Sequence, residues 1–293
     1  MGLPLQRLSF LIAGVLGAAL TLAPAASRAS GEARSNAWSE IKAPLIGAPR
    51  AIGGVAHGCV IGTRELPPDG PGYAAIRLSR HRNFGHPSLV RYIETLGREA
   101  AAAGLPSFYV GDMAQPRGGP LPFGHASHQT GLDVDIWFAL QARPVLPPEA
   151  REAVDLPSML LANYREIDPR RFGARQIELL RLAASAPEVE RIFVNPVIKA
   201  ALCRRAKPGD RAWLGRIRPW FGHDEHFHVR LTCPADSPEC EPQRPIPDGD
   251  GCGAELASWL RHLPHHLPPP PVEHGPPRHA SLPFACHAVL TQP

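Results

Sequence analysis

Two short segments of this chain alternate ionisable and apolar side chains, and nothing else in the sequence constrains the fold as strongly. Successive side chains of an extended strand point to opposite faces. Across residues 131–138, Leu132, Val134 and Ile136 therefore share one face, while Asp133, Asp135 and Trp137 share the other. Residues 226–231 repeat the pattern, with His226, His228 and Arg230 on one face and Phe227, Val229 and Leu231 on the other. Both segments read as strands that turn an apolar face to a core and gather metal-competent side chains on the opposite face.

Residues i and i+2 of a strand sit roughly 6.5–7 Å apart on one side, so His226 and His228 can face one site, one binding a metal and the other standing beside it. His128 lies seven residues before Asp135, across a turn that Gly131 permits, so imidazole and carboxylate can converge. Two histidines and one aspartate give three ligands and leave one tetrahedral position open, the arrangement of a catalytic zinc site. A histidine pair on a strand often does no more than bond its neighbours; the coincidence with His128 and Asp135 is what points to a metal. Asp133, on the same face as Asp135, is expected to hold one of the ligands. Arg230 is expected either to meet a substrate carboxylate or to form a structural ion pair. Trp137 and Trp220 are candidates to line a groove, with core packing the expectation for at least one of them.

Elsewhere, Leu89, Tyr92, Ile93 and Leu96 recur at helical spacing and predict a helix over 88–104 that Gly104 ends. Residues 107–111 read as a short strand, and 115–124, rich in Gly and Pro, as a loop. Helical spacing resumes over 174–186. A strand at 192–195 stops at Pro196, and a further helix is expected over 197–205. Residues 31–58, punctuated by Gly, Ala and Pro, are expected to wrap the surface. The segment 263–283 is Pro- and His-rich and is expected to be extended; its His265, His266, His274 and His279 are expected to be solvated or to bind metal only adventitiously.

Residues 1–7 carry one positive charge, residues 8–23 are uncharged, and small residues follow, with possible cleavage after Ala25 or Ala29. That is the pattern of a secretory signal peptide. The uncharged run is close to the ~18 residues that would span a bilayer, but the Ala-x-Ala patterns favour cleavage, and no later run is long enough, so no membrane insertion is expected after cleavage. The remaining chain, about 265 residues, is long enough for one large core or two small ones. Its six cysteines, Cys59, Cys203, Cys233, Cys240, Cys252 and Cys286, read as three disulfides in an oxidising compartment. None forms a C-x-x-C pair, and six cysteines allow 15 pairings. Cys286, beyond the Pro-rich segment, is expected to pin the end of the chain back. Cleavage after Ala25 removes only Arg7, taking the net charge from +4 to +3, too small an excess to indicate nucleic acid.

The segment GHASHQTGLDVDI at 124–136, with His226-x-His228, resembles the group of zinc peptidases that unites lysostaphin-like enzymes, D-alanyl-D-alanine peptidases and the Hedgehog zinc domain. Within that group the chain is similar to the penicillin-insensitive murein endopeptidases. Further matching segments are NFGHP at 83–87, RIFVNP at 191–196, RPWF at 218–221, and the stretches at 233–240 and 249–256. The resemblance spans roughly 38–290. It implies zinc ligands at His128, Asp135 and His228, with His125 also at the metal, and one catalytic Zn2+. It implies that His226 holds or shuttles the proton of the attacking water, and that His223 orients it or stabilises the oxyanion. It also implies the pairs Cys59–Cys286, Cys203–Cys252 and Cys233–Cys240. Some relatives carry extra Asp and His residues around 150–170 for a second metal. Here Asp155 and Asp168 remain but no histidine lies between His128 and His223, so a second ion is not expected.

Together these readings imply an α+β fold: a central antiparallel sheet carrying the zinc site on one face, flanked by helices and disulfide-tied loops. The expected organisation is a signal peptide at 1–29, a peptidase domain at 30–262 and a tail at 263–293. The implied activity is periplasmic hydrolysis of D-alanyl–meso-diaminopimelate cross-links in peptidoglycan. A D,D-carboxypeptidase or dipeptidase on uncross-linked stems, and a zinc-bearing binding protein that does not hydrolyse, are the alternatives. Nothing in the sequence indicates an oligomeric state.

Overall fold

The computed structural model of the chain describes residues 1–2, 35–141, 145–263 and 281–293. The expected signal peptide and the four tail histidines lie outside the described residues, apart from Met1 and Gly2.

In chain order the elements are α1 (Ala37–Glu40), β1 (Arg50–Gly54), β2 (His57–Ile61), β3 (Arg64–Glu65), β4 (Asp69–Gly70), β5 (Tyr73–Ala75), β6 (Phe84–Gly85) and α2 (Pro87–Ala102). There follow β7 (Phe108–Val110), β8 (Asp133–Leu140), α3 (Ala174–Ser185), β9 (Val189–Val194) and α4 (Pro196–Arg205). The last are β10 (Ile217–Pro219), β11 (His226–Leu231), α5 (Ala254–Arg261) and α6 (Phe284–Thr291). Seven strands form the main sheet in the order β10-β9-β11-β8-β7-β5-β4. Its four central strands are mutually antiparallel; β10 runs parallel to β9, and β5 parallel to β7. The fold is thus α+β, with an antiparallel centre and parallel pairings toward the edges.

The alternation of β8 and β11 sorts the two faces as expected. Val134, Ile136, Phe138, Phe227 and Val229 are fully buried against the apolar stripes of α2 and α3, among them Leu89, Ile93, Leu179 and Leu180. Each such side chain contributes roughly 1.5–3 kcal/mol on burial. Helix α2 starts on Pro87, whose missing N–H costs nothing at that position. The His86 imidazole accepts from the Ser88 N–H at 3.2 Å and caps the helix. Asn195 caps α4 in the same way, accepting from Val197 N at 2.9 Å.

One expectation is corrected. Residues 31–58 do not merely wrap the surface, because β1 and the start of β2 form an antiparallel hairpin within that span, with Ala51 and Ile52 buried. Ile52 and Cys59 pack there with Trp38, Cys286 and Val289 in a small second core under α6. The partners of this hairpin come from more than 200 residues away, through the Cys59–Cys286 bond, so local composition gives no sign of its burial. The other bonds are Cys203–Cys252, near α4 and α5, and Cys233–Cys240, just after β11. All three pairs are those the resemblance implies. Among the described residues no helix is long and apolar enough to cross a membrane.

Candidate metal centre and groove

Strand pairing assembles the site. β11 lies antiparallel to β8 with His228 opposite Asp135, Arg230 opposite Asp133 and His226 opposite Trp137. Side chains directly opposite across such a pair start about 4.5–5.5 Å apart at Cβ, so each ionisable group meets its partner without reaching. The 125–131 loop supplies the rest. Gly131, at φ +70°, turns the chain into β8, and a Cβ there would lie 2.9 Å from the His86 backbone nitrogen. Gln129 anchors the loop: its Nε2 donates to the carbonyls of Ala56 (2.8 Å) and Ala126 (3.0 Å), and its Oε1 accepts from Gly58 N at 3.1 Å. His128 is held at φ +69°, a left-handed conformation that costs a non-glycine residue energy and is found preferentially at functional sites.

Asp135, 1% exposed, is the hub of four imidazoles. Its carboxylate oxygens lie 3.1 Å from His228 Nδ1, 3.4 Å from His125 Nδ1, 3.6 Å from His128 Nε2 and 3.8 Å from His226 Nε2. Burial alone would raise the Asp135 pKa, but His226, His128 and His125 outweigh it and hold the carboxyl well below the usual range. His128 is completely buried, and burial pushes its pKa down to about 3. Neither of its ring nitrogens has a hydrogen-bond partner, and a buried polar atom without a partner is costly unless something else satisfies it. The ligand atoms of His125, His128 and Asp135 all lie within 4.8 Å of one another, so these three could hold a metal ion. Imidazole and carboxylate donors around a net negative charge fit a divalent cation.

The remaining expected residues divide between this cluster and its support. Asp133, fully buried, braces two of the expected histidines: Oδ1 accepts from His228 Nε2 (2.8 Å) and Arg230 Nε (2.6 Å), and Oδ2 accepts from His128 N (3.2 Å). Burial would raise its pKa, but Arg230 and His228 hold it far below the ordinary value. Arg230 is thus in a structural ion pair, and its Nη1 also donates to Gln243 at 2.9 Å. His226 stacks 4.9 Å from Trp137 and keeps a buried, unpartnered Nδ1. His223, at φ +51°, stands 5.1 Å from His226, and its Nδ1 donates to the Phe221 carbonyl at 3.1 Å. Trp137 is core, its Nε1 donating to Gly111 O at 2.5 Å, whereas Trp220 is 52% exposed. Asp168 is engaged by Arg170 and Arg171, and Asp155 is exposed.

Sequence reasoning missed Asp112. It is 3% exposed, lies 3.3 Å from His125 Nε2, and is held by Arg82 at 2.7 Å and Arg80 at 3.2 Å. Only its place just after the short strand β7 could have hinted at this, since β7 is the neighbour of β8. Above the cluster lies a groove of about 470 Å³ lined by His125, His223, His228, Phe193, Trp220 and Arg191 among others. A bound chain there would pass directly over the imidazoles.

Residues 51–291 match the family described as penicillin-insensitive murein endopeptidase. The penicillin-insensitive murein endopeptidase of Haemophilus influenzae is 45% identical over 267 residues, covering 87% of this chain and 88% of the relative. That of Klebsiella pneumoniae subsp. pneumoniae is 43% identical over 268 residues, covering 90% and 94%. That of Yersinia enterocolitica is 45% identical over 258 residues, covering 86% and 90%.

Proposed function

The chain belongs to the penicillin-insensitive murein endopeptidase family, and on that premise we propose that it is a zinc peptidase that hydrolyses D-alanyl–meso-diaminopimelate cross-links of peptidoglycan in the periplasm. The observation that carries this reading is the meeting of His125, His128, Asp135 and His228 beside an open groove that His125 and His228 line, with both His128 ring nitrogens buried and unpartnered.

His128 and Asp135 are the central ligands in this reading. His228 completes the set through Nδ1, because its Nε2 is taken by Asp133, and a carboxylate behind a ligating histidine sets its tautomer and orientation. His125 flanks the same position and is steadied by Asp112. When bound, zinc supplies a nucleophilic water at neutral pH and polarises the scissile carbonyl. His226, beside Asp135 with a free Nδ1, takes the proton of the attacking water and passes it to the leaving amine. His223 donates through Nδ1 to Phe221, so its neutral ring presents a lone pair at Nε2. That tautomer suits accepting from and orienting the water rather than donating to an oxyanion. No serine acyl-enzyme is involved, so a β-lactam has nothing to acylate. The three disulfides and the leader-like start of the sequence support an oxidising compartment outside the cytoplasm.

The test is digestion of purified cross-linked muropeptide dimers by the mature chain, read by mass spectrometry. Dimers should become monomers, with activity lost to a chelator, restored by zinc and unaffected by penicillin. Intact dimers with a metallated protein would overturn the endopeptidase reading. Release of terminal D-alanine from pentapeptides instead would make it a carboxypeptidase.

A further inference from the structure

Beside the groove, three aromatic side chains that the chemistry above does not use form an exposed ridge. Trp220 is 52% exposed and Phe221 39%. Both pack on the half-buried Trp259 of α5, with ring centroids at 5.7 and 4.9 Å. The rings are tilted to one another by 45° and 64°, so they make separate steps rather than one flat slab. Phe221 and Trp259, with Ser258 and His262, also line a recess of about 230 Å³. Exposing two large aromatic side chains side by side is unfavourable in water unless a partner covers them. An aromatic face over a recess edged by hydroxyl and imidazole suits a molecule with one apolar C–H face and a polar rim. A pyranose ring is such a molecule.

The ridge is continuous with the catalytic groove. Trp220 belongs to both, and Phe193 bridges inward, 5.4 Å from Trp220 and 5.6 Å from His228 between ring centroids. In murein a cross-linked stem hangs from the glycan strand by about four residues, an extended reach of at most about 14 Å. A cross-link over the metal centre therefore brings its own glycan strand within reach of Trp220, the ring that packs on Trp259.

We propose that Trp220, Phe221 and Trp259 form a platform for the glycan strand, so that the protein reads the sugar as well as the peptide of its substrate. This rests on the murein reading, and it deepens that reading by adding a carbohydrate subsite next to the peptide groove. Recognition would come from stacking on Trp259 and Phe221, with Ser258 and His262 meeting hydroxyl groups.

The experiment compares the wild type with Trp259→Ala and Trp259→Phe on two substrates: cross-linked dimers that keep their disaccharides, and the same dimers after an amidase has removed the sugars. Trp259→Ala should raise KM about tenfold on sugar-bearing dimers with kcat unchanged, and leave both constants unchanged on sugar-free dimers. Trp259→Phe should recover most of the loss. Equal effects on both substrates, or none on either, would overturn the platform. A second arm needs no turnover: peptide-free glycan chains are titrated into chelator-treated protein while tryptophan fluorescence is read. A saturable change in the wild type that is lost in Trp259→Ala supports the platform, and no change in the wild type refutes it. Because this arm does not depend on hydrolysis, failure of the murein peptidase reading and failure of the platform can be told apart.

Discussion

Substituting Asp133 by Asn separates support of the metal centre from metal binding itself. The carboxylate is fully buried and accepts three hydrogen bonds, Oδ1 from His228 Nε2 and Arg230 Nε, and Oδ2 from the His128 backbone. An amide has nearly the same shape but only one acceptor oxygen. If that oxygen stays toward His228 and Arg230, the amide NH2 confronts the N–H of His128; if it flips, the NH2 confronts two donors. In either case the Arg230 guanidinium, 5% exposed, loses its only anionic partner among the described residues, while Gln243 and the Phe193 ring stay beside it. Leaving one member of a buried ion pair uncompensated costs about 3–5 kcal/mol. The retained acceptor places Asp133→Asn at the lower end, about 3 kcal/mol. For a domain of this size each kcal/mol lowers Tm by about 2–4 °C, so calorimetry of the chelator-treated variant should show a fall of roughly 6–12 °C. Zinc affinity by competition with a chelating dye should fall about 10–100-fold, because His228 loses the group that orients it. A melting temperature within 2 °C of the wild type, with zinc affinity within twofold, would refute the role assigned to Asp133.

His226→Ala should retain zinc by metal analysis yet lose turnover of cross-linked dimers by at least about 100-fold; a variant cutting at the wild-type rate would remove His226 from the mechanism. Burial pushes the His86 pKa below its usual 6.5, against the pull of the nearby Asp236, with Arg91 adding to the decrease. Above pH 6.5 the residue is neutral in folded and unfolded chain alike; below it the unfolded chain takes the proton first, so its stabilising contribution shrinks as pH falls. Tm should thus drop less between pH 7 and 5 in His86→Asn, which keeps a capping acceptor, than in the wild type; equal slopes would contradict this. Replacing both Cys59 and Cys286 by Ala should destabilise the protein by about 2–5 kcal/mol and open α6 to limited proteolysis. Unchanged melting and cleavage patterns would show that α6 holds without the bond.

What was legible in the sequence follows from the range over which each signal acts. The faces of β8 and β11 were legible because strand alternation is local and the residues at 131–138 and 226–231 state it plainly. Their register was not, because nothing local says that His228 will face Asp135 rather than Asp133. Asp112 stayed hidden for the same reason: it reaches the site through pairing, with Gly111 N donating to Asp135 O and Asp135 N to Asp112 O, both at 3.0 Å. The β1–β2 hairpin is rich in glycine and is buried by a helix from the far end of the chain. Helices α5 and α6 have eight residues each, about two turns, too few for a 3.6-residue period to declare itself. The aromatic ridge draws on the 220–221 loop and α5, so neither segment alone announced it.

The three buried aspartates at the site differ in what balances their charge. Asp112 is paired with Arg82 and Arg80, and Asp133 with Arg230; guanidinium is permanently charged, so both pairs are complete as they stand. Asp135 has no lysine or arginine within ion-pair distance among the described residues, and every charged partner it has is an imidazole. Two of those imidazoles, His128 and His226, are pushed by burial toward the neutral form. His228 is different: burial would lower its pKa, but Asp133 and then Asp135 raise it instead. Its Nδ1 and an Asp135 oxygen face one another at 3.1 Å. A divalent cation bound at this cluster would give Asp135 the positive partner its two neighbouring aspartates already have.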